Sequence, residues 1–99
     1  MLGVKKYNII LEPVVLSIDL KKISSKNKDI IKKSIQQKLT SYPELYSFPL
    51  RKLLGNYRKL RVGKYRVIFR IDIKKKECLI IGIRHREDIY QKISKRLNE

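Results

Sequence analysis

The fold of this chain is decided by residues 57–70, which read Tyr-Arg-Lys-Leu-Arg-Val-Gly-Lys-Tyr-Arg-Val-Ile-Phe-Arg. Two runs rich in aromatic and aliphatic residues flank the pair Gly63-Lys64, a composition typical of two strands joined by a tight turn. Six Lys or Arg residues are threaded between the apolar ones. A hairpin that only supports a fold does not need so many cations, so we expect an anionic partner to lie against this sheet.

The strands that follow are predicted from their apolar patterns. Residues 64–73 alternate apolar and polar side chains, as an antiparallel strand with one buried face does. Residues 77–85 are apolar on both sides, which predicts a central position in the sheet. The core face of strand 64–73 is predicted to carry Tyr65, Val67, Phe69, Ile71 and Ile73.

The cations of these strands are predicted to share one open face. Period two places Arg84 and Arg86 on the face of Ile80 and turns His85 the other way. If strands 64–73 and 77–85 pair, we expect a concave basic surface that is lined by Lys59, Arg61, Arg66, Arg84 and Arg86. A surface of this kind can hold a phosphodiester backbone, and its affinity falls steeply as the salt concentration rises.

The N-terminal half is predicted to supply a strand and a helical hairpin. Residues 4–11 have the composition of a strand, and Glu12-Pro13 suits the start of a short helix that reaches Ile23. Ser24–Lys28 is a polar break with N-cap candidates, and an amphipathic helix follows at about 27–41. Residues 42–56 are a connection in which three leucines tuck under the sheet, namely Leu50, Leu53 and Leu54.

A last helix is predicted over residues 87–97, because Ile89, Ile93 and Leu97 form an apolar stripe. The predicted order is therefore β-α-α-β-β-β-α. It describes a small, mostly antiparallel sheet with an N-terminal helical hairpin and a C-terminal helix, in the α+β class.

Length and composition indicate one domain over residues 1–99. The net charge of +16 attracts nucleic acid, an anionic membrane surface or an acidic protein. One Cys and one His exclude an internal disulfide and cannot build a structural zinc site. The apolar run Ile9–Leu11 is too short for a membrane span or a signal peptide. We expect a cytoplasmic protein with no small-molecule cofactor and no membrane partner.

Cutting RNA requires more than charge. The 2′-hydroxyl must lose a proton, the phosphate gains charge in the transition state, and the 5′-oxygen must receive a proton. Guanidinium groups suit the second task, because they stabilise negative charge. The chain has three candidate proton carriers for the other two tasks, namely Lys59, His85 and Tyr90.

Each candidate also has a purely structural alternative. By its helical spacing, Tyr90 can be a packing aromatic, and His85 can be a surface residue at a strand end. Arg58, Lys64 and Arg70 can be solvated strand cations. Composition and spacing alone support a basic nucleic-acid-binding α+β domain.

Two motifs carry a family resemblance. The first is Leu54-Gly55 followed by Lys59-Leu60-Arg61-Val62-Gly63-Lys64-Tyr65-Arg66-Val67-Ile68-Phe69, and the second is Ile80-Ile81-Gly82-Ile83-Arg84-His85-Arg86-Glu87-Asp88-Ile89-Tyr90. In this order and at this spacing they resemble the RelE/ParE superfamily of toxins from bacterial and archaeal toxin–antitoxin pairs. The resemblance covers the C-terminal half closely and the N-terminal half in layout only.

The resemblance implies a RelE-like, microbial RNase-type fold. It also implies an mRNA interferase, an endoribonuclease that cuts messenger RNA, typically in the ribosomal A site. In that family the cut needs no metal and leaves a 2′,3′-cyclic phosphate. The partners implied are messenger RNA, the ribosome and an acidic antitoxin whose chain covers the basic groove or displaces the last helix.

The family's functional residues can be carried over by motif. Lys59 and Arg61 match its basic pair, and Arg66 matches the Arg that stabilises the transition state. Tyr90 matches the Tyr that stacks on a base or transfers a proton. Arg84 matches a cation that some members have at the end of this strand. His85 and Arg86 match the family's H-R pair. We thus predict a catalytic set of Lys59, Arg61, Arg66, Arg84, His85 and Tyr90, and an RNA-binding set of Arg58, Lys59, Arg61, Arg66, Arg84 and Arg86.

The chain departs from the family pattern at one point. The usual Gly before His is displaced, because Ile83-Arg84 separates Gly82 from His85, so we expect a shifted or bulged strand end. The ParE branch of the superfamily acts on DNA gyrase and lacks the RNase residues. Arg66, Arg84 and Tyr90 together favour the RNase branch. A non-catalytic gyrase inhibitor and a basic nucleic-acid-binding module remain the alternatives.

Overall fold

The computed structural model of the chain describes residues 6–50 and 56–97. One sheet contains β1 (Asn8–Leu11), β2 (Phe48–Pro49), β3 (Tyr57–Val62), β4 (Tyr65–Asp72) and β5 (Glu77–His85). Their order in the sheet is β1-β5-β4-β3-β2. Strand β1 pairs with β5 in parallel, and the other pairs are antiparallel. The predicted α+β class, the mostly antiparallel sheet and the interior position of β5 are confirmed.

The helical hairpin is present, but its first arm is not a regular α-helix. A π-helix at Val15–Asp19 continues as a 3₁₀-helix at Leu20–Lys22, and α1 spans Ser25–Lys38. The first arm does not follow an α-helical period, because Leu16 and Ile18 are exposed while Asp19 is buried. The predicted polar break is confirmed, since the Ser24 side chain accepts a hydrogen bond from the N–H of Asn27 and caps α1.

The last helix, α2, spans Ile89–Leu97. Its predicted stripe is confirmed, because Ile89 and Ile93 are fully buried and Leu97 packs against the same cluster. Within the described parts of the chain, no helix has the length and apolar character of a membrane span.

Two details of the connections differ from the sequence prediction. The connection 42–56 contains the short strand β2 at the edge of the sheet, and there Pro49 is tolerated because its missing N–H is not needed. Leu50 is buried as predicted, whereas Leu53 and Leu54 lie outside the described residues. Ile73 was predicted on the core face but is 60% exposed, because β4 ends one residue earlier and the chain turns.

Two apolar clusters cover the two faces of the sheet. On the first, here called the α1 face, Ile31 and Ile35 of α1 pack in one cluster with Leu60, Val67, Phe69, Ile80 and Ile83. On the second, the α2 face, Ile89 and Ile93 of α2 pack with Leu50, Ile68 and Ile81. Full burial of such a side chain is worth about 1.5–3 kcal/mol. The sheet is therefore held from both sides, and α2 leaves part of the α2 face uncovered along β3, where Lys59 is half-buried and Arg61 is exposed.

A bulge in β5 changes which side chains point to which face. Ile68 pairs with Gly82 but Phe69 pairs with Ile80, so Ile81 is an extra residue in β5. Ile80 and Ile83 consequently both lie in the α1-face cluster, although they are three residues apart. A bulge is present, but it lies at Ile81 and not at the strand end, because residues 82–85 pair regularly with β4. It also overturns a second prediction: Arg84 lies opposite Ile80, not on the same face.

Candidate active site

A hydrogen-bonded pair of side chains joins α2 to β3 on the α2 face. Burial of Ile89 and Ile93 fixes the roll of α2 and leaves Tyr90 beside β3. The Lys59 Nζ donates to the Tyr90 hydroxyl oxygen at 3.2 Å and lies 5.6 Å from the centre of its ring. Tyr90 is 41% exposed, so the alternative of a core aromatic is wrong. The pair is open to a ligand.

Two arginines stand directly opposite each other at the end of the same face. Arg61 and Arg66 are partners across β3 and β4, next to the turn at Gly63, whose φ of 57° is costly for other residues. Nη1 of Arg66 donates to the carbonyl oxygens of Gly63 at 3.0 Å and Tyr65 at 2.8 Å. Like charges directly opposite destabilise a sheet. The arrangement therefore suits an anion placed between them.

Phe48 extends this surface toward the edge of the sheet. It pairs with Lys59 in the β2–β3 register, which places both side chains on the α2 face. The guanidinium carbon of Arg61 lies 4.9 Å from the centre of the Phe48 ring, a cation–π contact. Sequence reasoning misses Phe48, because the pattern predicts a connection over residues 42–56. The signal in the sequence is the pair Phe48-Pro49, because an edge strand favours an aromatic residue and tolerates a proline.

Arg84 lies on the α2 face beside Arg66, as predicted, but it is not open. It pairs with Arg66 across β4 and β5 and is only 9% exposed. Its Nη1 donates to Oδ1 of Asp19 at 3.3 Å, and its Nη2 donates to Oδ2 of Asp88 at 3.0 Å. The predicted open position of Arg84 is wrong, because two carboxylates draw its guanidinium inward.

Asp19 is the centre of this buried network, and sequence reasoning missed it as well. Its fully buried carboxylate accepts from the N–H of Ile83 at 2.9 Å and from Arg96 at 2.9 and 2.6 Å, besides Arg84. Strand β1 ends at Leu11, so farther along β5 the Asp19 side chain serves as the acceptor for a strand N–H. The signal in the sequence was an acid within an apolar segment.

The hydrogen bond between Arg84 and Asp88 shifts the pKa values of both groups. It lowers the pKa of Asp88 from its ordinary value of 3.8, because it favours the carboxylate. The same bond is the main cause that raises the pKa of Arg84. Arg84 and Asp88 thus stay ionised at neutral pH, and their ion pair ties the turn after β5 to the strand.

His85 lies away from the pair formed by Lys59 and Tyr90. It is the cross-strand partner of Tyr65, its ring meets that of Tyr65 edge-on at 5.8 Å, and Tyr65 packs against the α1-face cluster. Its Nδ1 accepts a hydrogen bond from the N–H of Glu87 at 3.2 Å. His85 therefore belongs to the opposite face of the sheet, where β5 ends.

The remaining predicted cations occupy different places. Arg58 alternates with Lys59, and its guanidinium donates to Ser47 Oγ at 2.7 Å and to the backbone oxygens of Ser47 and Glu44, so it fixes a loop. Arg86 is exposed in the turn after β5, where its N–H donates to the oxygen of Lys64. The structure thus brings together Lys59, Arg61, Arg66 and Tyr90, with Arg84 beneath them. His85 and Arg58 do not join this set.

The remaining titratable groups do not form a metal site in the described part of the chain. Within residues 6–50 and 56–97, no three His, Cys, Asp or Glu side chains converge on a position where they could hold an ion. Cys78 is fully buried in β5, and burial raises the pKa of its thiol to about 11.

Comparison with known proteins supplies a family. A model described as the ParE toxin of the type II toxin–antitoxin system, parDE, matches residues 17–90. No curated protein sequence gives a significant match.

Solved structures with the same fold come from both bacteria and archaea. A chain of the toxin–antitoxin complex RelBE2 of Mycobacterium tuberculosis superposes with a TM-score of 0.74 at 24% identity, over 81% of this chain and 98% of that one. A double Arg-to-Ala mutant of Escherichia coli toxin RelE in the free state gives 0.67 at 22% identity, over 92% and 97%. A chain of the archaeal RelE–RelB complex of Pyrococcus horikoshii gives 0.66 at 20% identity, over 82% and 96%. At these identities the likeness shows the fold.

Proposed function

The chain belongs to the ParE toxin family of type II toxin–antitoxin systems, and we propose that this toxin acts by cutting messenger RNA. The observation that carries the proposal is the hydrogen bond between Lys59 and Tyr90 beside the opposed pair Arg61 and Arg66. A protein that only binds RNA needs the cations, whereas a nuclease also needs proton carriers next to the bound phosphate.

The four side chains divide the tasks of RNA cleavage. Arg61 and Arg66 bind the scissile phosphate and stabilise the charge that develops on its oxygens in the transition state. The 2′-oxygen forms a bond to phosphorus and the bond from phosphorus to the 5′-oxygen breaks, which leaves a 2′,3′-cyclic phosphate. Water is not consumed in this step.

The pair Lys59 and Tyr90 handles the proton. One of the two groups accepts the proton of the 2′-hydroxyl as the 2′-oxygen attacks phosphorus. Because the two groups share a hydrogen bond, the pair can return a proton to the 5′-oxygen as it leaves. His85 faces the other side of the sheet, so its position favours Lys59 and Tyr90 as the proton carriers.

Mapping the 5′ ends of cellular messages after induction of the toxin tests this proposal. We expect new ends at discrete positions within translated codons, as cleavage in the ribosomal A site requires. Tyr90→Phe removes the hydroxyl, and Arg66→Ala removes a phosphate ligand. Each should lower the yield of cut message about 100-fold or more, the range for loss of a proton carrier or a charge-stabilising group.

Two matched variants control for side-chain and charge loss. Tyr42→Phe alters an exposed tyrosine on another part of the surface, and Arg70→Ala removes an exposed cation from the same strand as Arg66. Both should leave the cut sites unchanged. Wild-type cleavage in Tyr90→Phe and Arg66→Ala would show that this surface is not the active site.

The match to a ParE model favours a second candidate, a non-catalytic toxin that inhibits DNA gyrase. In that case the purified protein blocks gyrase supercoiling, DNA damage precedes any loss of translation, and no new message ends appear. Cleavage within codons occurs only under the first proposal.

We also propose that an acidic antitoxin binds this chain in the cytoplasm. The net charge of +16 favours such a partner, and relatives of the same fold were solved as complexes with antitoxins. Between β1 and α1 lies an open groove of about 700 Å³ with apolar walls that include Ile9, Leu11 and Ile35, and with Lys28 and Lys32 at its lining. An amphipathic segment with acidic flanks suits that groove, so Lys28→Glu with Lys32→Glu should weaken co-purification with a co-expressed acidic antitoxin.

A further inference from the structure

We propose that Phe48, stacked on Arg61, is a platform for an unpaired RNA base, on the side of Lys59 opposite Tyr90. The inference rests on the RNA substrate proposed above and adds a contact to the base next to the scissile phosphate. The geometry assigns this role because two exposed aromatic rings, Phe48 and Tyr90, both adjoin Lys59 on the α2 face.

An exposed phenylalanine is by itself unremarkable on a protein surface. Phe48 differs in three respects. It is 50% exposed on the edge strand of the sheet, it shares a register position with Lys59, and its ring is already paired with the guanidinium of Arg61. The ring is thus oriented by a cation that also belongs to the phosphate-binding set.

Cations and aromatic rings in alternation are the recognition chemistry of single-stranded nucleic acid. The cations follow the backbone, and the rings stack on successive bases without reading their hydrogen-bonding edges. Along this face the order is Tyr90, Lys59, then Phe48 with Arg61. A duplex cannot use it, because its bases are stacked on each other. The surface therefore selects an unpaired strand with a base on each side of Lys59.

The two rings should not contribute in the same way. Tyr90 carries the hydroxyl that adjoins Lys59, so its loss affects the chemical step. Phe48 has no polar atom and acts only by stacking, so its loss affects binding and the choice of base. Purines stack more extensively than pyrimidines, so we expect a purine preference at the position that Phe48 contacts.

The test is a binding measurement with short single-stranded oligoribonucleotides. Each oligonucleotide has the same number of phosphates, and one nucleotide at a time lacks its base. Fluorescence anisotropy at fixed salt gives the affinity. For the wild-type chain we expect abasic sites at two positions each to weaken binding about five- to a hundred-fold, the range for loss of one stacked base. Tyr90 accounts for one such position and Phe48 for the other.

Variants assign each position to a ring. In Phe48→Ala the abasic penalty at one position should vanish, whereas Phe48→Trp should keep it. The dependence of affinity on salt should stay that of wild type, because the phosphate contacts remain. Leu45→Ala removes a side chain that is 72% exposed near the same edge and should change nothing.

The outcomes separate this proposal from the proposed cleavage. If Phe48→Ala binds every oligonucleotide as wild type does, the platform is refuted, even if messages are still cut within codons. If the abasic penalty depends on Phe48 but no message is cut, the platform stands and the nuclease proposal fails.

Discussion

Replacing Asp19 with Ala should destabilise the fold more than any other single change of charge in the described chain. The carboxylate is fully buried and receives hydrogen bonds from Ile83, Arg84 and Arg96. It joins three elements, because it lies at the end of the π-helix and contacts both β5 and α2. Asp19→Ala removes one of the acceptors of each of the two guanidinium groups and the side-chain acceptor of the Ile83 N–H.

The magnitude follows from how well each group can find another partner. Removing one member of a buried ion pair costs about 3–5 kcal/mol, because the remaining charge is buried without compensation. Arg84 keeps Asp88, and Arg96 is 19% exposed and keeps its bond to the oxygen of Ile81. We therefore expect a loss at the lower end of that range, about 3 kcal/mol. The total free energy of unfolding of a domain of this kind is about 5–15 kcal/mol.

Urea unfolding followed by circular dichroism measures this loss. With a slope of about 1–3 kcal/mol per molar urea, the unfolding midpoint should fall by roughly 1–3 M. Asp29→Ala, which removes an exposed carboxylate from α1, should shift the free energy by less than about 0.5 kcal/mol. A loss below about 1 kcal/mol in Asp19→Ala would refute the argument that this network holds the three elements together.

Three further predictions concern the thiol, the acid limb of stability and the bulge. Because the pKa of Cys78 is raised from 9.0 to about 11, alkylation of the native thiol near neutral pH should be roughly 100-fold slower than in urea, and equal rates by mass spectrometry would contradict its burial. Because the pKa of Asp88 is lowered in the folded state, its carboxylate contributes to stability above about pH 3.8, and this contribution is lost as the pH falls through the folded pKa. The loss of stability in Asp88→Asn, measured by urea titration, should therefore shrink toward pH 3. A loss that stays constant with pH would disprove the coupling. A Cβ on Gly82 would meet Cδ1 of Ile93, so Gly82→Ala should cost about 1–3 kcal/mol and lower cleavage by displacing Tyr90. Adding Ile93→Val to the Gly82→Ala chain should restore part of the stability and part of the cleavage. If it restores neither, Gly82 is needed for another reason.

The fold was largely predictable because its strands follow strong local patterns. The alternation in residues 64–73 and the apolar run in residues 77–85 gave β4 and β5 to within a residue or two, and the stripe of Ile89 and Ile93 gave α2. Strand β2 was not predictable, because two residues carry no period. The irregular first arm of the hairpin could not be predicted either, since the burial of Asp19 depends on arginines that are 65 and 77 residues away in sequence.

The site was predictable in part. Period two correctly put Lys59, Arg61 and Arg66 on one face, and all three are there with Tyr90. The same rule failed for Arg84 relative to Ile80, because Ile81 is an extra residue in β5. It reverses the face of the sheet to which each later side chain of β5 points, relative to Ile80. The displaced Gly82 predicts an irregularity at the strand end, whereas the bulge lies at Ile81, before Gly82. A one-residue shift changes the face of a side chain, and only the pairing with β4 fixes it.

Two arginines on the α2 face have different tasks because they have different partners. Arg66 and Arg84 are partners across the strands, yet Arg66 is held by its own turn near solvent, while Arg84 is held by Asp19 and Asp88. Arg96, near the end of α2, shares Asp19, and Tyr90, near its start, is six residues or about 9 Å away along the helix. The inner arginines therefore fix the position of α2, and α2 fixes the distance from Tyr90 to Lys59. On this argument, Arg84→Ala weakens cleavage through the position of Tyr90. Its defect should then be accompanied by a loss of stability that Arg66→Ala does not show.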